Sequence, residues 1–159
     1  MAPPELPNPF LFNDGTKVKT PADWERRRQE IFDLVIPLEY GGLPPSPSGV
    51  RFEPLHTHTV RSLNGALFTQ YRIFHADEPS FHFRLDLIRP PGDGPFPAVL
   101  TGDGCYLYAT EEVIRDILRR HFLFARFSRV EIVPDLYSPE RTSGLYTVYP
   151  RLSFGALSA

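Results

Sequence analysis

The sequence predicts a mixed αβ protein whose sheet opens antiparallel and continues parallel, preceded by an amino-terminal arm and a helix. Three observations carry that expectation. Two strand-like segments stand six residues apart, as in a hairpin. A strand–helix–strand pattern follows within some 30 residues, the length of a crossover that makes its two strands parallel. Punctuation by 18 Pro and 11 Gly in 159 residues is too heavy for a helical bundle.

The arm comes first. Residues 1–19 are Pro-rich and turn at Asn13-Asp14-Gly15, which reads as an extended segment lying on the body. Thr20 can cap a helix, Pro21 suits its first position, and Asp23 completes a capping box. Trp24, Ile31, Val35 and Leu38 form the apolar face, while Glu25, Arg26, Arg27 and Glu30 form the wet one. Pro37 should end or kink this helix. The run Gly41 to Pro47 is a break and a spacer.

Strands follow. Val50 to Val60 is the first, and Asn64-Gly65 marks a turn. Ala66 to Phe74 and Phe81 to Ile88 make the antiparallel pair. The latter sets Phe81, Phe83, Leu85 and Leu87 on one face and His82, Arg84 and Asp86 on the other. Pro90 to Pro95 is a turn. Phe96 to Thr101 reads as a central strand buried on both faces, ending at Gly102-Asp103-Gly104. Thr110 caps the next helix, Glu111 and Glu112 favour its positive end, and Val113, Ile114, Ile117 and Leu118 form its stripe. Phe122 to Phe127 is the parallel strand. A polar loop, Arg129 to Ser153, leads to a helix start at Phe154 to Ala159.

Composition excludes several classes. With 13 Phe and 7 Tyr the chain carries far more apolar surface than a disordered tail. A net charge of −2 argues against a nucleic-acid partner, and no stretch approaches the ~18 apolar residues of a membrane span. Cys105 is the only cysteine, so neither an intrachain disulfide nor an all-cysteine zinc site can form. Met1 to Glu5 lack a secretory pattern, which sets the expectation of a cytoplasmic protein.

Several groupings could carry chemistry. Gly102, Asp103, Gly104 and Cys105 leave the carboxyl end of a strand, where open αβ sheets bind ligands. Their N–H groups suit an oxyanion hole or a phosphate turn, and a bare tight turn is the plainer reading. The dinucleotide fingerprint fails, because its third glycine would fall at Leu107. Cys105 with His121 would make a nucleophile and base, although a small core residue is the commoner use of a lone cysteine. His56 and His58 share a strand face but lack a third ligand, so chance pairing is expected and no metal or other cofactor is implied. His75 and His82 read as surface residues at the hairpin ends. Arg126, Arg129, Glu131 and Asp135 line the same mouth or anchor a salt-bridged loop, with neither favoured. Tyr106, Tyr108, Tyr137, Tyr146 and Tyr149 could stack on a ligand, with loop packing the plainer role.

The order of elements, and particular residues, resemble a known family. Leu6-Pro7-Asn8-Pro9-Phe10, Asp14-Gly15-Thr16-Lys17-Val18, Asp23 to Ile31, Tyr40-Gly41-Gly42-Leu43-Pro44 and Gly155-Ala156-Leu157-Ser158-Ala159 are similar to the amino-terminal region of glucuronoyl esterases and related acetylxylan-esterase-like hydrolases. The resemblance implies an α/β-hydrolase-like three-layer sheet, here its first half, with 1–48 as arm and helix and 49–159 as sheet. It implies a Ser-His-acid esterase for a carbohydrate ester. No Gly-x-Ser-x-Gly or Cys-Ser-Arg occurs in this chain, so no catalytic residue carries over. The substrate- and oxyanion-loop candidates are Gly102, Asp103, Gly104, Cys105, Arg129, Glu131 and Asp135. Such a hydrolase needs roughly twice this length, so the expectation is a single truncated domain, inactive by itself. The alternative is a complete, non-catalytic domain that binds a carbohydrate or a partner.

Overall fold

The structure is a computed structural model and describes residues 6–102, 109–134 and 143–152. The chain divides into two compact units. One comprises residues 1–43 with 151–159, and the other residues 44–150.

The first unit is built on helix α1, Pro21–Tyr40. Thr20 accepts the Asp23 N–H at 3.1 Å, and the Asp23 carboxylate accepts the Thr20 N–H at 3.1 Å, which completes the capping box. The helix runs through Pro37 and stops at Gly41, whose φ of +77° is the left-handed cap that glycine makes at little cost. A late proline breaks only one backbone bond, and too little helix follows it to be lost. Arg27 is a correction of another kind. Expected on the wet face, it is buried, and its guanidinium bonds the Pro9 carbonyl, Asn13 Oδ1 and Glu30 Oε2. The arm therefore folds back on α1 over a polar anchor, with Phe10 against Trp24 and Phe12 beneath Arg26.

The second unit is one five-stranded sheet in the order β1-β2-β3-β5-β4. Its strands are β1 (Val50–Val60), β2 (Ala66–His75), β3 (His82–Arg89), β4 (Ala98–Thr101) and β5 (Leu123–Phe127). The first three form an antiparallel meander, β5 joins β3 antiparallel, and β4 joins β5 parallel. Helix α2 (Glu111–Arg119) makes the crossover, its Thr110 cap accepting the Val113 N–H. This is the expected fold class, an antiparallel start followed by a parallel βαβ unit.

Alternation decides what each face does. Ile88 and Phe124 pair across β3 and β5 and lie under α2 with Ile114 and Leu118. Leu63 and Ala66 complete this core. Two residues along each strand the same face turns polar. Gln70, Asp86 and Arg126 stand in one cross-strand row. One expectation fails here. β4, read as a central strand buried on both faces, is an edge strand among the described residues, with Leu100 62% exposed. Burial on both faces belongs instead to β5, where Phe124 and Ala125 are both enclosed.

Candidate functional site

The polar half of that face is the best-formed site among the described residues. Asp86 sits at its centre. Gln70 Nε2 donates to Asp86 Oδ1 at 2.7 Å, and Arg126 Nε donates to Oδ2 at 3.0 Å. Both members of the ion pair are largely buried, at 18% and 25% exposure, so losing one would strand the other's charge. Two residues farther along β3, Arg84 meets Glu131 on the short helix α3 (Arg129–Ile132). Glu131 accepts the Arg84 backbone N–H and its Nε, each at 2.9 Å, and Nη2 as well. Together with Phe127 and Ser128, these groups enclose a cleft of about 250 Å³. A second cleft beside it is lined by Arg72, His82, Arg84 and Glu131.

Burial pushes the Glu131 carboxyl up, but the hydrogen bonds and charge of Arg84 outweigh it and hold the group below the usual carboxylate range. A depressed folded-state pKa stabilises the fold above about pH 4.5, and that stabilisation is lost as pH falls through the lower folded value. Glu131→Gln is therefore expected to cost about 1 kcal/mol at neutral pH, because Arg84 is well exposed, and nothing in strong acid. Denaturant midpoints of the two proteins at pH 7 and pH 3 check this. The gap must close on the acid side.

The sequence candidates divide. Gly102 lies at the carboxyl end of β4, and its carbonyl accepts the Arg129 N–H at 3.0 Å. That bond ties the carboxyl ends of the two parallel strands together. A Cβ on Gly102 would meet the Phe127 ring at 3.0 Å, so close packing is one reason for glycine there. Glu131 is in the cleft. Asp103, Gly104, Cys105 and Asp135 lie outside the described residues, as do Tyr106, Tyr108, Tyr137 and the Phe154 to Ala159 segment. His121 stands just before the amino end of β5, the opposite end of the parallel pair from Gly102. His56 and His58 stack on one another and on Phe68, and the described residues hold no group of three metal-ligating side chains. Tyr146 is buried, and Tyr149 bonds His75 and Pro45, so packing accounts for both. His75, expected at the surface, has a side chain only 9% exposed. The strand end that carries it is covered by Tyr149, from 74 residues away. Nothing in the sequence marks Gln70 or Ser128. Asp86, a charge between two leucines, was the available signal.

Among the described residues two groupings bring serine, histidine and an acid near one another, and neither is wired for nucleophilic attack. Ser48 donates to Asp77, not to His75. His82 Nδ1 is engaged with the Ser80 carbonyl. In neither case does an imidazole accept a serine proton, as that chemistry requires.

No family model matches the chain. Its sequence is 29% identical over 153 residues to 4-O-methyl-glucuronoyl methylesterase 1 of Wolfiporia cocos, covering 91% of this chain and 36% of that protein. The fold matches a glucuronoyl esterase from Solibacter usitatus with a TM-score of 0.73 at 20% identity, over 92% of this chain and 46% of the other. A Ser-to-Ala mutant of the glucuronoyl esterase from Sporotrichum thermophile, in complex with methyl 4-O-methyl-β-D-glucopyranuronate, matches with a TM-score of 0.61 at 24% identity. That match covers 92% of this chain and 34% of the other. The chain thus spans about a third of the curated relative and under half of the solved neighbours.

Proposed function

We propose that this chain, a partial relative of the glucuronoyl esterases with a matching fold, is the amino-terminal portion of a serine-dependent carbohydrate-ester hydrolase. The nucleophile, its histidine and the acid lie outside these 159 residues. One observation carries the reading: the structural match runs over 92% of this chain yet only 46% of its neighbour. The absence of a nucleophile-elbow motif supports it. In this reading the sheet is a scaffold. The carboxyl ends of β4 and β5 present the loops from Gly102 to Cys105 and from Arg129 to Asp135 to the substrate. The cleft around Asp86 and Glu131 holds the second loop in place. The substrate class is an ester of an acidic sugar, as in the neighbour bound to a methyl glucuronate ester. Attack on the acyl carbon, proton transfer and oxyanion stabilisation fall to groups supplied after the next strand.

The test is turnover of 4-nitrophenyl acetate and of a methyl glucuronate ester. The 159-residue chain should show none that a serine reagent abolishes. The polypeptide extended through the codons after Ala159 should hydrolyse the sugar ester. Reagent-sensitive turnover by the short chain overturns the proposal. So does an extended polypeptide that is folded but inert.

A further inference from the structure

His75 ends β2, and both nitrogens of its ring are engaged. Nδ1 lies 3.1 Å from the backbone N–H of Asp77, which can only donate, so Nδ1 presents a lone pair. The ring proton therefore sits on Nε2, which donates to Tyr149 Oη at 2.9 Å, and Tyr149 donates in turn to the Pro45 carbonyl at 3.1 Å. One direction of donation runs through the chain, from Asp77 to His75 to Tyr149 to Pro45. The nearly enclosed imidazole thus joins its own turn to Tyr149 directly, and to the segment around Pro45 through Tyr149. The Asp77 carboxylate stands 3.9 Å from Nδ1. It is occupied by the Ser48 N–H, at 3.0 Å, and by the Ser48 hydroxyl.

We propose that His75 is a proton-operated latch between the β2–β3 turn and the segment that leads into β1. A proton taken from solvent onto Nδ1 abolishes the acceptor of the Asp77 N–H. The new Nδ1–H then turns to the Asp77 carboxylate, a closure of about 1 Å to charge-assisted bonding distance, and draws that carboxylate away from Ser48. The bond from Nε2 to Tyr149 survives, since Nε2 carries a proton in both states. The groups facing His75 fit this exchange. Among the described residues, Asp77 and Glu78 are the charged ones, and the Ser48 and Tyr149 hydroxyls are the neutral ones. The Ser48 hydrogen bonds hold the Asp77 carboxyl below its usual range, so it is ionised at neutral and mildly acid pH. Arg51 lies over the Phe74 ring, on the opposite side of the strand pair. The latch stands independently of the ester-hydrolase reading.

The experiment is an NMR titration of the ¹⁵N-labelled chain from about pH 8 to pH 5, the range in which histidines change charge. The neutral His75 ring should show a protonated Nε2 and a bare Nδ1. The Asp77 and Ser48 amide resonances should then move with the same midpoint as the ring. Tyr149→Phe should keep that shared transition, because the proton enters at Nδ1. Asp77→Asn should leave the ring titrating while the Ser48 amide stays still. A Ser48 amide that is flat through the His75 transition in the unsubstituted chain overturns the latch. So does a neutral ring protonated on Nδ1.

Discussion

Phe124→Ala is expected to lower the unfolding free energy by about 3–5 kcal/mol, the largest loss for any single truncation in the sheet unit. Phe124 is 2% exposed and touches both halves of the core. It pairs with Ile88 across β3 and β5 and lies under Ile114 and Leu118 of α2. Removing the ring leaves a cavity walled by backbone on the sheet side, which cannot collapse to fill it. Denaturant unfolding should show a lower midpoint at unchanged slope, which marks lost stability rather than a changed unfolded state. Leu100→Ala is the matched control. The same kind of deletion at a side chain 62% exposed should cost about 0.5 kcal/mol or less. Equal costs at the two positions would mean that the core is not where the alternation places it.

Gly144→Ala is the second large effect, and its cause is the backbone. Gly144 adopts φ +60° and ψ −137°, a region that residues with a Cβ essentially do not enter. A methyl there would also land on the carbonyl oxygen of Ile132, and backbone cannot step aside as a flexible side chain does. The expected cost is about 2–3 kcal/mol or local displacement of the short helix α4 (Leu145–Val148), whichever is smaller. Limited proteolysis reads the second outcome directly, as faster cleavage between residues 143 and 150. Gly65→Ala separates the two causes. Gly65 has φ +78° but open space around its missing Cβ, so it should show only the conformational penalty of about 1–2 kcal/mol.

Much of this fold is legible in the sequence because local rules act alone there. Thr20, Pro21 and Asp23 announce the start of α1, and Thr110 with Glu111 and Glu112 announces α2. The alternation from Phe81 to Ile88 places β3, but the core beneath α2 lies on the face that carries Asp86 and Ile88, not on the Phe83–Leu85–Leu87 face. What could not be read depends on partners far along the chain. Arg27 looks like a surface residue until the arm brings Pro9 and Asn13 to it. His75 looks exposed until Tyr149 arrives. An apolar tetrapeptide such as Ala98 to Thr101 has one appearance at the centre of a sheet and at its edge, since composition does not report how many neighbours a strand has. The candidate site shows the same division. Glu131 and Arg126 stood out as charges beside a strand end. Gln70 and Asp86 lie in the site because two strands pair in one register, and a one-residue slip would turn them to the other face.

The two margins of the sheet differ in kind. Along β1, Pro54 offers no N–H, and the register breaks between Pro54 and His56, so Leu55 is extruded and the two halves of the strand are out of line. Such an edge is a poor template for another strand. β4 has neither guard. Among the described residues it is short and regular, with Val99 and Leu100 exposed along it. Among the described residues the sheet therefore has one interrupted margin and one regular margin. The regular margin, β4, is the better geometric match for a further strand, and it lies at the end of the sheet remote from the His56–His58 stack.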